Sequence, residues 1–444
     1  MKIIRKKTSM GIIRGLLMED MTCQFRGIRY ATAERWKYPV PVDQWSSEYD
    51  ATEFGAACYQ NRSFRDEASQ DPRPFYYKEF REHETYRYSE DCLFLNIYTP
   101  KNADHADVLL YIHGGAFMGG CGNEKHMDGT EYAKRGIIFV SINYRLGPLG
   151  FLCDRQLTEE SGHSGNYGLY DQLAAIQWVY RHIADFGGNP EKITLFGQSA
   201  GAMSTQQHVL SPLTKPYIHG AYMASGGGIG ETFAKVTNIE DSYDYCAKVT
   251  AQLGANPNEW RQKSVEEIYD AFWKFSDREV LNHFCPHIDG LLIPKDPKKA
   301  LEQHQQAHIP YLMSTNADDM LPDVLHEMAF QWCEDVQKDG DPAYCFRFNR
   351  HLPGDDAGAF HSAELWYTIG AFKNCWRPMN EWDRKIREVL LAVITRFVHT
   401  GNPNGVPIQT WQPVTSDDAR LLVITDDSFK FLSKSDISSD THAA

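Results

Sequence analysis

The sequence predicts an α/β protein in which a mainly parallel sheet is covered by helices on both faces. From residue 91 onward, short β-rich apolar runs alternate with longer helical segments, and such alternation is typical of parallel sheets. In the stretch Ile193–Ser204, an apolar strand runs through a tight turn into a helix. No repeat, low-complexity tract or linker divides the chain, so we expect a single domain over residues 1–444.

The segments before residue 91 show a different pattern. Gly11–Leu17 and Cys23–Ala31 predict short antiparallel strands joined by polar turns. Residues 33–90 have little periodicity and are predicted as a loop region. The aromatic groups Phe75–Tyr77 and Tyr86–Tyr88 in it either line a binding cavity or seal the loop onto the core, and sealing is the more common role.

The predicted elements that follow alternate in type. The strands are 93–98, 108–113, 137–143, 193–198, 220–224, 309–315 and 344–348, and the helical segments are 166–186, 200 onward, 241–275 and 384–399. In the first of these helices Leu169, Leu173, Ile176 and Tyr180 share one face.

Composition excludes several kinds of partner. Hydrophobic residues make up 42% and aromatic residues 13% of the chain, which is typical of a globular protein. The 45 basic and 59 acidic side chains give a net charge of −14, so we expect neither nucleic acid nor an anionic membrane as a partner.

We see no apolar run of about 18 residues, the length that a membrane span needs, and no signal peptide after Met1–Lys7. The 10 cysteines form no Cys-x-x-Cys pair, so we expect a cytoplasmic enzyme with mostly reduced thiols.

Ser199 lies at the centre of a Gly-x-Ser-x-Gly pattern formed with Gly197 and Gly201. The pattern is typical of a nucleophile elbow, in which a strained turn between a strand and a helix exposes the serine. Side chains at the two flanking positions would collide with the neighbouring strand and helix, which explains the glycines. Taken alone, the same pattern also occurs in proteins without catalysis.

A second segment rich in small residues, His113-Gly114-Gly115-Ala116-Phe117, follows a predicted buried strand. Its backbone N–H groups can point into a cavity and, together with the N–H of Ala200, form an oxyanion hole. The alternative is a plain glycine turn. The presence of the elbow in the same chain favours the oxyanion hole, because each segment supplies what the other lacks.

With these motifs the sequence resembles the type-B carboxylesterases, the cholinesterase-like branch of the α/β-hydrolases. Besides the elbow, the resemblance rests on four segments in the family's order: Glu90–Asn96, Asn143–Phe151, Gly165–Gln172 and Gly401–Pro403. It covers nearly the whole chain. It implies an α/β-hydrolase fold with loop and helical excursions over the active site.

The resemblance also implies roles for single residues around the serine. The oxyanion donors in the family's H-G-G-[GA]-F loop correspond to Gly115 and Ala116, with Ala200 as the third donor. Phe117 and Met118 are expected to form walls of the substrate pocket. Gln198 stands in the pocket floor where the family more often has Glu, and its neutral amide makes choline esters a poor substrate.

The resemblance likewise selects the acid and the base. The segment Ser314–Met320 is similar to the one that carries the family's acid, which selects Asp319, with Asp318 as the alternative. Aspartate is one methylene shorter than the family's usual glutamate, so its loop must bring it closer to the histidine. Among the 17 histidines, His361 lies in a segment similar to the family's H-x-x-[DE]-L loop. The order of Ser199, acid and histidine is that of α/β-hydrolases.

Three pairings outside the site are implied in the same way. They are the structural ion pairs Arg35–Glu90 and Arg145–Asp171, and a Cys58–Cys92 disulfide, which a cytoplasmic chain can instead keep as two thiols.

We therefore expect a serine esterase that acts on a small-molecule ester and needs no cofactor. An amidase, a thioesterase or a lactone hydrolase would use the same machinery, and a non-catalytic binding module is a further alternative.

No metal is expected, because His304 with His308, and the ligand-rich segment His283–His287, come without the further ligands of a zinc site. Ser225–Gly228 lacks the glycine spacing of a phosphate loop and is predicted as a turn near the active site.

Overall fold

The computed structural model describes residues 1–60, 75–230, 236–275, 283–408, 410–415, 419–434 and 436–437. Its strands are β1 Lys2–Thr8, β2 Gly11–Leu17, β3 Thr22–Arg29, β4 Ala31–Thr32, β5 Val40–Pro41, β6 Tyr49–Asp50, β7 Ala57–Cys58, β8 Tyr88–Ser89, β9 Phe94–Pro100, β10 Ala106–Ile112, β11 Ile138–Ile142, β12 Gly188–Gln198, β13 Gly220–Ala224, β14 Thr237–Asn238, β15 His287–Ile288, β16 Tyr311–Asn316, β17 Ala343–Phe348, β18 Leu421–Ile424 and β19 Phe429–Leu432.

The described α-helices are α1 Phe75–Phe80, α2 Thr130–Lys134, α3 Gly147–Phe151, α4 Arg155–Ser161, α5 Tyr167–His182, α6 Ala200–Leu210, α7 Ile239–Thr250, α8 Pro257–Gln262, α9 Val265–Trp273, α10 Pro297–Glu302, α11 Pro322–Lys338, α12 Leu365–Ile369 and α13 Glu381–Thr400. None of them is both long enough and apolar enough to cross a membrane.

A sheet of 13 strands organises the described chain, in the order β1-β2-β3-β9-β11-β10-β12-β13-β16-β17-β18-β19, with β6 beside β2. Its neighbours from β11 to β18 are all parallel. The strands at the two ends are antiparallel. The predicted mainly parallel sheet is therefore confirmed, as are the antiparallel strands before residue 91.

The sheet is buried on both faces, as a parallel sheet covered by helices must be. Strand β10 shows this directly, because alternate side chains pack into two separate hydrophobic clusters. Val108, Leu110 and Ile112 belong to one cluster, whereas Leu109 and Tyr111 belong to the other. The continuous apolar run that predicted this strand is the consequence of burial on both sides.

Several described elements were not predicted, and strand β1 and helix α1 are two of them. Strand β1 carries four lysines and arginines in seven residues and lies at the end of the sheet, where charged side chains protect an edge strand from pairing with other chains. Its two isoleucines are adjacent, so the strand has no alternating apolar pattern that the sequence could show. Helix α1 lies within the segment predicted as loop; residues 61–74 of that segment are outside the described residues.

The pairings implied by the family resemblance are present. Arg145 and Asp171 form a buried ion pair with an Nη2 to Oδ1 distance of 2.7 Å, and Arg35 and Glu90 lie 2.5 Å apart. Cys58 and Cys92 form a disulfide. Cys58 lies in the segment 33–90, which the sequence predicted as a loop region. The disulfide attaches this segment covalently to Cys92, just before β9.

Candidate active site

Ser199 stands at the turn between β12 and α6. Its backbone has φ 56° and ψ −124°, a strained conformation that non-glycine residues rarely adopt. A side chain at Gly197 would place Cβ 2.0 Å from the carbonyl oxygen of Gly201, and one at Gly201 would place it 2.0 Å from that of Ile112. The strained turn and the need for both glycines are therefore as predicted.

The segment after β10 is strained as well. Gly115, Ala116 and Phe117 have φ angles of 104°, 53° and 60°, so three consecutive residues lie in the left-handed region. Among the described hydrogen bonds, none uses the N–H of Gly115 or Ala116. Both residues line a cavity of about 360 Å³ together with Ser199. Ala200 is buried at the start of α6 and does not line that cavity.

The acid loop and the histidine loop meet at the ends of β16 and β17. His361 Nδ1 lies 2.8 Å from Asp319 Oδ1, and the Asp319 side chain is fully buried. Asp318 points elsewhere: its Oδ2 accepts a hydrogen bond of 2.7 Å from the N–H of Ala359. The structure thus joins His361 to Asp319 rather than to Asp318.

The two loops are held together by their backbones. Asp318 forms a parallel bridge with Phe360, and its N–H donates to the carbonyl of Ala359 at 3.1 Å. Asn316 adds a bond of 2.7 Å from Nδ2 to the carbonyl oxygen of Phe360. These contacts supply the close approach that the shorter aspartate side chain requires.

The other nitrogen of His361 faces Gln198. Gln198 Nε2 lies 3.2 Å from His361 Nε2. If Nδ1–H donates to Asp319, Nε2 carries the lone pair that accepts from the Gln198 amide. Among the described residues, Ser199 Oγ forms no hydrogen bond to His361, and apo sites often show such loose geometry. In that tautomer the lone pair of His361 Nε2 is engaged by Gln198.

The cavity is closed by residues from α1, the segment after β10 and the acid and histidine loops. Its lining residues are Tyr76, Tyr77, Phe80, Arg81, Tyr111, His113, Gly114, Gly115, Ala116, Gly120, Glu124, His126, Met127, Gln198, Ser199, Met320, His361, Ser362 and Leu365. Burial lowers the pKa of His113 to about 4, so this imidazole is neutral at pH 7. Arg81 and Glu124 neutralise each other as an ion pair of 2.5 Å.

The structure bears on two expectations about the pocket walls. The sequence left open whether Tyr76 and Tyr77 line a cavity or seal a loop, with sealing the more common role. They line the cavity and lie on the helix Phe75–Phe80. Phe117 and Met118, which were expected to contact substrate, are only 2% and 3% exposed and belong to the hydrophobic core. Neither lines the described cavity, so their contact with substrate stays a prediction without support from this geometry.

Glu364 is a neighbour of the acid and the base that sequence reasoning did not single out for function. It is fully buried and accepts a hydrogen bond from Asn316, while its Oε1 has no partner among the described residues. Burial raises its pKa to about 7, although Asn316 and the nearby His361 act in the opposite direction. The sequence feature that could have pointed to Glu364 is its position three residues after His361. The burial of its carboxylate depends on packing that the sequence does not show.

The parallel sheet, the strained serine after β12 and the acid and histidine loops at the ends of β16 and β17 define an α/β-hydrolase. A solved structure of a PNB esterase has the same fold, with a TM-score of 0.83 at 24% sequence identity, covering 99% of this chain and 98% of that chain. A second, a thermophilic PNB esterase, gives a TM-score of 0.80.

The chain belongs to the Carboxylesterase family, whose model matches residues 4–330 and 318–439. The para-nitrobenzyl esterase of Bacillus subtilis (strain 168) is 33% identical over 325 residues, which are 70% of this chain and 62% of that protein. The cholinesterase of Mus musculus is 34% identical over 335 residues, 71% of this chain and 53% of that protein. The chain therefore spans less than two thirds of the length of these relatives.

Replacing Gln198 tests its contact with His361. A carboxylate in Gln198→Glu cannot donate to Nε2 and stabilises the protonated imidazole, so we expect the acidic limb of the pH profile of kcat/KM to move up by about one pH unit. Gln198→Met is the matched control, because it keeps the length of the side chain without a charge. An unchanged profile in Gln198→Glu would contradict the contact.

Glu364 gives a second prediction, for stability. Because the folded protein holds this proton up to about pH 7, whereas an unfolded glutamate loses it near pH ~4.3, the free energy of unfolding falls as pH rises between these values. The fall is on the order of 3 kcal/mol. Glu364→Gln stays neutral, so its stability relative to the parent protein should increase from pH 5 to pH 8.

The measurement is urea denaturation of Glu364→Gln and the parent protein at both pH values. The matched control is Glu302→Gln, which removes an exposed carboxylate and should change little at either pH. A Glu364→Gln variant whose relative stability is the same at pH 5 and pH 8 would show that Glu364 is ionised in the folded protein throughout.

Proposed function

We propose that this chain is a serine carboxylesterase that hydrolyses small-molecule carboxylic esters through an acyl-enzyme. The observation that carries the proposal is the 2.8 Å contact between His361 and Asp319 beside the strained Ser199, which lines the same cavity as His361. Membership of the Carboxylesterase family supports it, as do the names of two relatives, a para-nitrobenzyl esterase and a cholinesterase.

In the proposed first step His361 is the general base. Its Nε2 takes the proton from Ser199 Oγ as that oxygen attacks the ester carbonyl, after the side chains close the distance between them. Asp319 holds the imidazole orientation and stabilises the imidazolium. The negative charge on the carbonyl oxygen accepts hydrogen bonds from the N–H groups of Gly115 and Ala116 and from Ala200 at the start of α6.

In the proposed second half, His361 returns the proton to the departing alcohol, which leaves the acyl group on Ser199. A water molecule then loses a proton to the same imidazole and attacks the acyl carbonyl. Collapse of this second intermediate releases the acid and restores the Ser199 hydroxyl. The same donors stabilise both oxyanions, so one set of backbone N–H groups serves both steps.

The cavity favours an uncharged substrate. The Gln198 amide carries no charge, burial lowers the pKa of His113 to about 4, and Arg81 is paired with Glu124. Tyr76, Tyr77 and Phe80 supply aromatic walls, and apolar walls with a few polar groups are typical of small-molecule sites. We propose neutral esters as substrates, with cationic choline esters disfavoured.

The amidase, thioesterase and lactone hydrolase alternatives share every residue named above. These alternatives differ in which bond is hydrolysed fastest. Comparing the turnover of an ester, an amide and a thioester of the same acyl group therefore decides among them. A non-catalytic binding module, the remaining alternative, would turn over none of these.

A cytoplasmic location is also part of the proposal. It is supported by the eight cysteines that are free thiols, seven of them buried. The Cys58–Cys92 disulfide opposes it, because disulfides are rare in reducing compartments.

Substitution of the three residues tests the proposed roles. With p-nitrophenyl butyrate, we expect Ser199→Ala and Asp319→Asn each to lower kcat by about 1,000-fold or more, because the members of such a unit act together. Asp318→Asn is the matched control: it removes the neighbouring charge but keeps an acceptor for the N–H of Ala359, so the loss should stay below about tenfold. Full activity in Ser199→Ala, or equal losses in the two aspartate variants, would contradict the assignment.

A further inference from the structure

One histidine and two aspartates meet at the end of the parallel strands opposite Ser199, with a second histidine beside them. His304 and His308 follow α10 and precede β16, and Asp339 and Asp341 lie in the turn between α11 and β17. Ligand atoms of His308, Asp339 and Asp341 all lie within 4.8 Å of one another. The fold therefore brings two carboxylates to His308, which the sequence alone did not show.

Each histidine already contacts one aspartate. His304 Nδ1 lies 2.7 Å from Asp339 Oδ2, and His308 Nδ1 lies 2.9 Å from Asp341 Oδ2. The buried Gln306 donates to the same Asp339 oxygen at 2.8 Å. Its amide oxygen is buried and has no partner in the described part of the chain. Gln306 therefore carries an unsatisfied buried acceptor on the same amide that bonds Asp339, where a bound cation would supply a positive partner.

The backbone holds these groups in place. Tyr311 pairs with Ala343 at the start of β16 and β17, and its N–H donates to the carbonyl of Pro342 at 2.9 Å. Ala307, which lies between Gln306 and His308, is fixed to α6 by a bond of 2.7 Å to the carbonyl of Val209. The cluster is therefore mounted on the sheet rather than on a free loop.

Two carboxylates lie close together at the cluster. Asp339 and Asp341 follow the C-terminus of α11, where the helix dipole disfavours negative charge. Their ion pairs among the described residues are those with His304 and His308, and the nearby Lys338 contacts Asp335 at 2.6 Å. A divalent cation would supply positive charge where these two carboxylates meet.

We propose that His308, Asp339 and Asp341 bind one zinc-like divalent cation, with His304 as the neighbour that contacts Asp339. One imidazole nitrogen and two carboxylate oxygens, completed by water, form the kind of four-coordinate set that Zn²⁺ takes at sites with an open position, whereas Mg²⁺ and Ca²⁺ prefer oxygen alone. The ion ties the segment before β16 to the segment before β17 and stabilises the fold far from Ser199.

The test is Zn²⁺ binding to the full, untagged chain after treatment with a chelator, measured by calorimetry at pH 7.5 and by competition with a chromophoric zinc indicator. We expect one site per chain with micromolar affinity. His308→Ala and Asp341→Asn should each weaken it by about tenfold or more, as loss of a ligand does. The matched control is His399→Ala, which removes a surface histidine paired with Asp107 alone at 2.5 Å and should bind as the parent protein does.

Two further readouts make the result decisive. Co²⁺ should give the intense visible absorption that is typical of tetrahedral coordination. We expect this absorption in the parent protein and in His399→Ala, but not in His308→Ala or Asp341→Asn. Zn²⁺ should raise the apparent Tm of the parent protein and of His399→Ala by a few degrees, because it binds the folded state alone, whereas His308→Ala and Asp341→Asn should show no rise. The inference is overturned if the parent protein binds no Zn²⁺, if either ligand variant binds it with unchanged affinity, or if Mg²⁺ binds equally well.

Discussion

The backbone pairing between the acid loop and the histidine loop is the contact on which the site depends. The bridge between Asp318 and Phe360 sets the distance between two segments that follow neighbouring strands, β16 and β17. With that distance fixed, the short side chain of Asp319 reaches His361 Nδ1. Asp318 is important through its backbone and its contact with Ala359, whereas Asp319 faces the imidazole. The two adjacent aspartates therefore have different partners, and the fold rather than their chemistry determines which of them contacts His361.

Several groups near Ser199 are uncharged. Gln198 carries a neutral amide, burial lowers the pKa of His113 to about 4, and burial raises the pKa of Glu364 to about 7. In the proposed reaction, the charge that develops on a substrate oxygen meets the backbone dipoles of Gly115 and Ala116. The amide of Gln198 introduces one constraint of its own, because it donates to the His361 nitrogen that accepts the serine proton in the proposed mechanism.

Much of the fold followed from the sequence because a doubly covered parallel sheet leaves continuous apolar runs, as in β10 and β13. The strained elbow followed from Gly197 and Gly201, and Asp319 and His361 from family resemblance. What the sequence did not show depends on contacts between distant segments. Tyr76 lines the cavity only because α1 forms, Glu364 is buried by packing around Asn316, and His308 meets Asp341 across two strands. Phe117 lies in the hydrophobic core, where its ring packs against Phe151.

The central claim is that the strained residue at the end of β12 is the nucleophile. The most direct measurement is mass spectrometry of the protein after reaction with a fluorophosphonate, followed by mapping of the modified peptide. One phosphonyl group per chain is expected, on Ser199, with loss of esterase activity in proportion to labelling. A label on a different serine, or full activity in fully labelled protein, would contradict the claim.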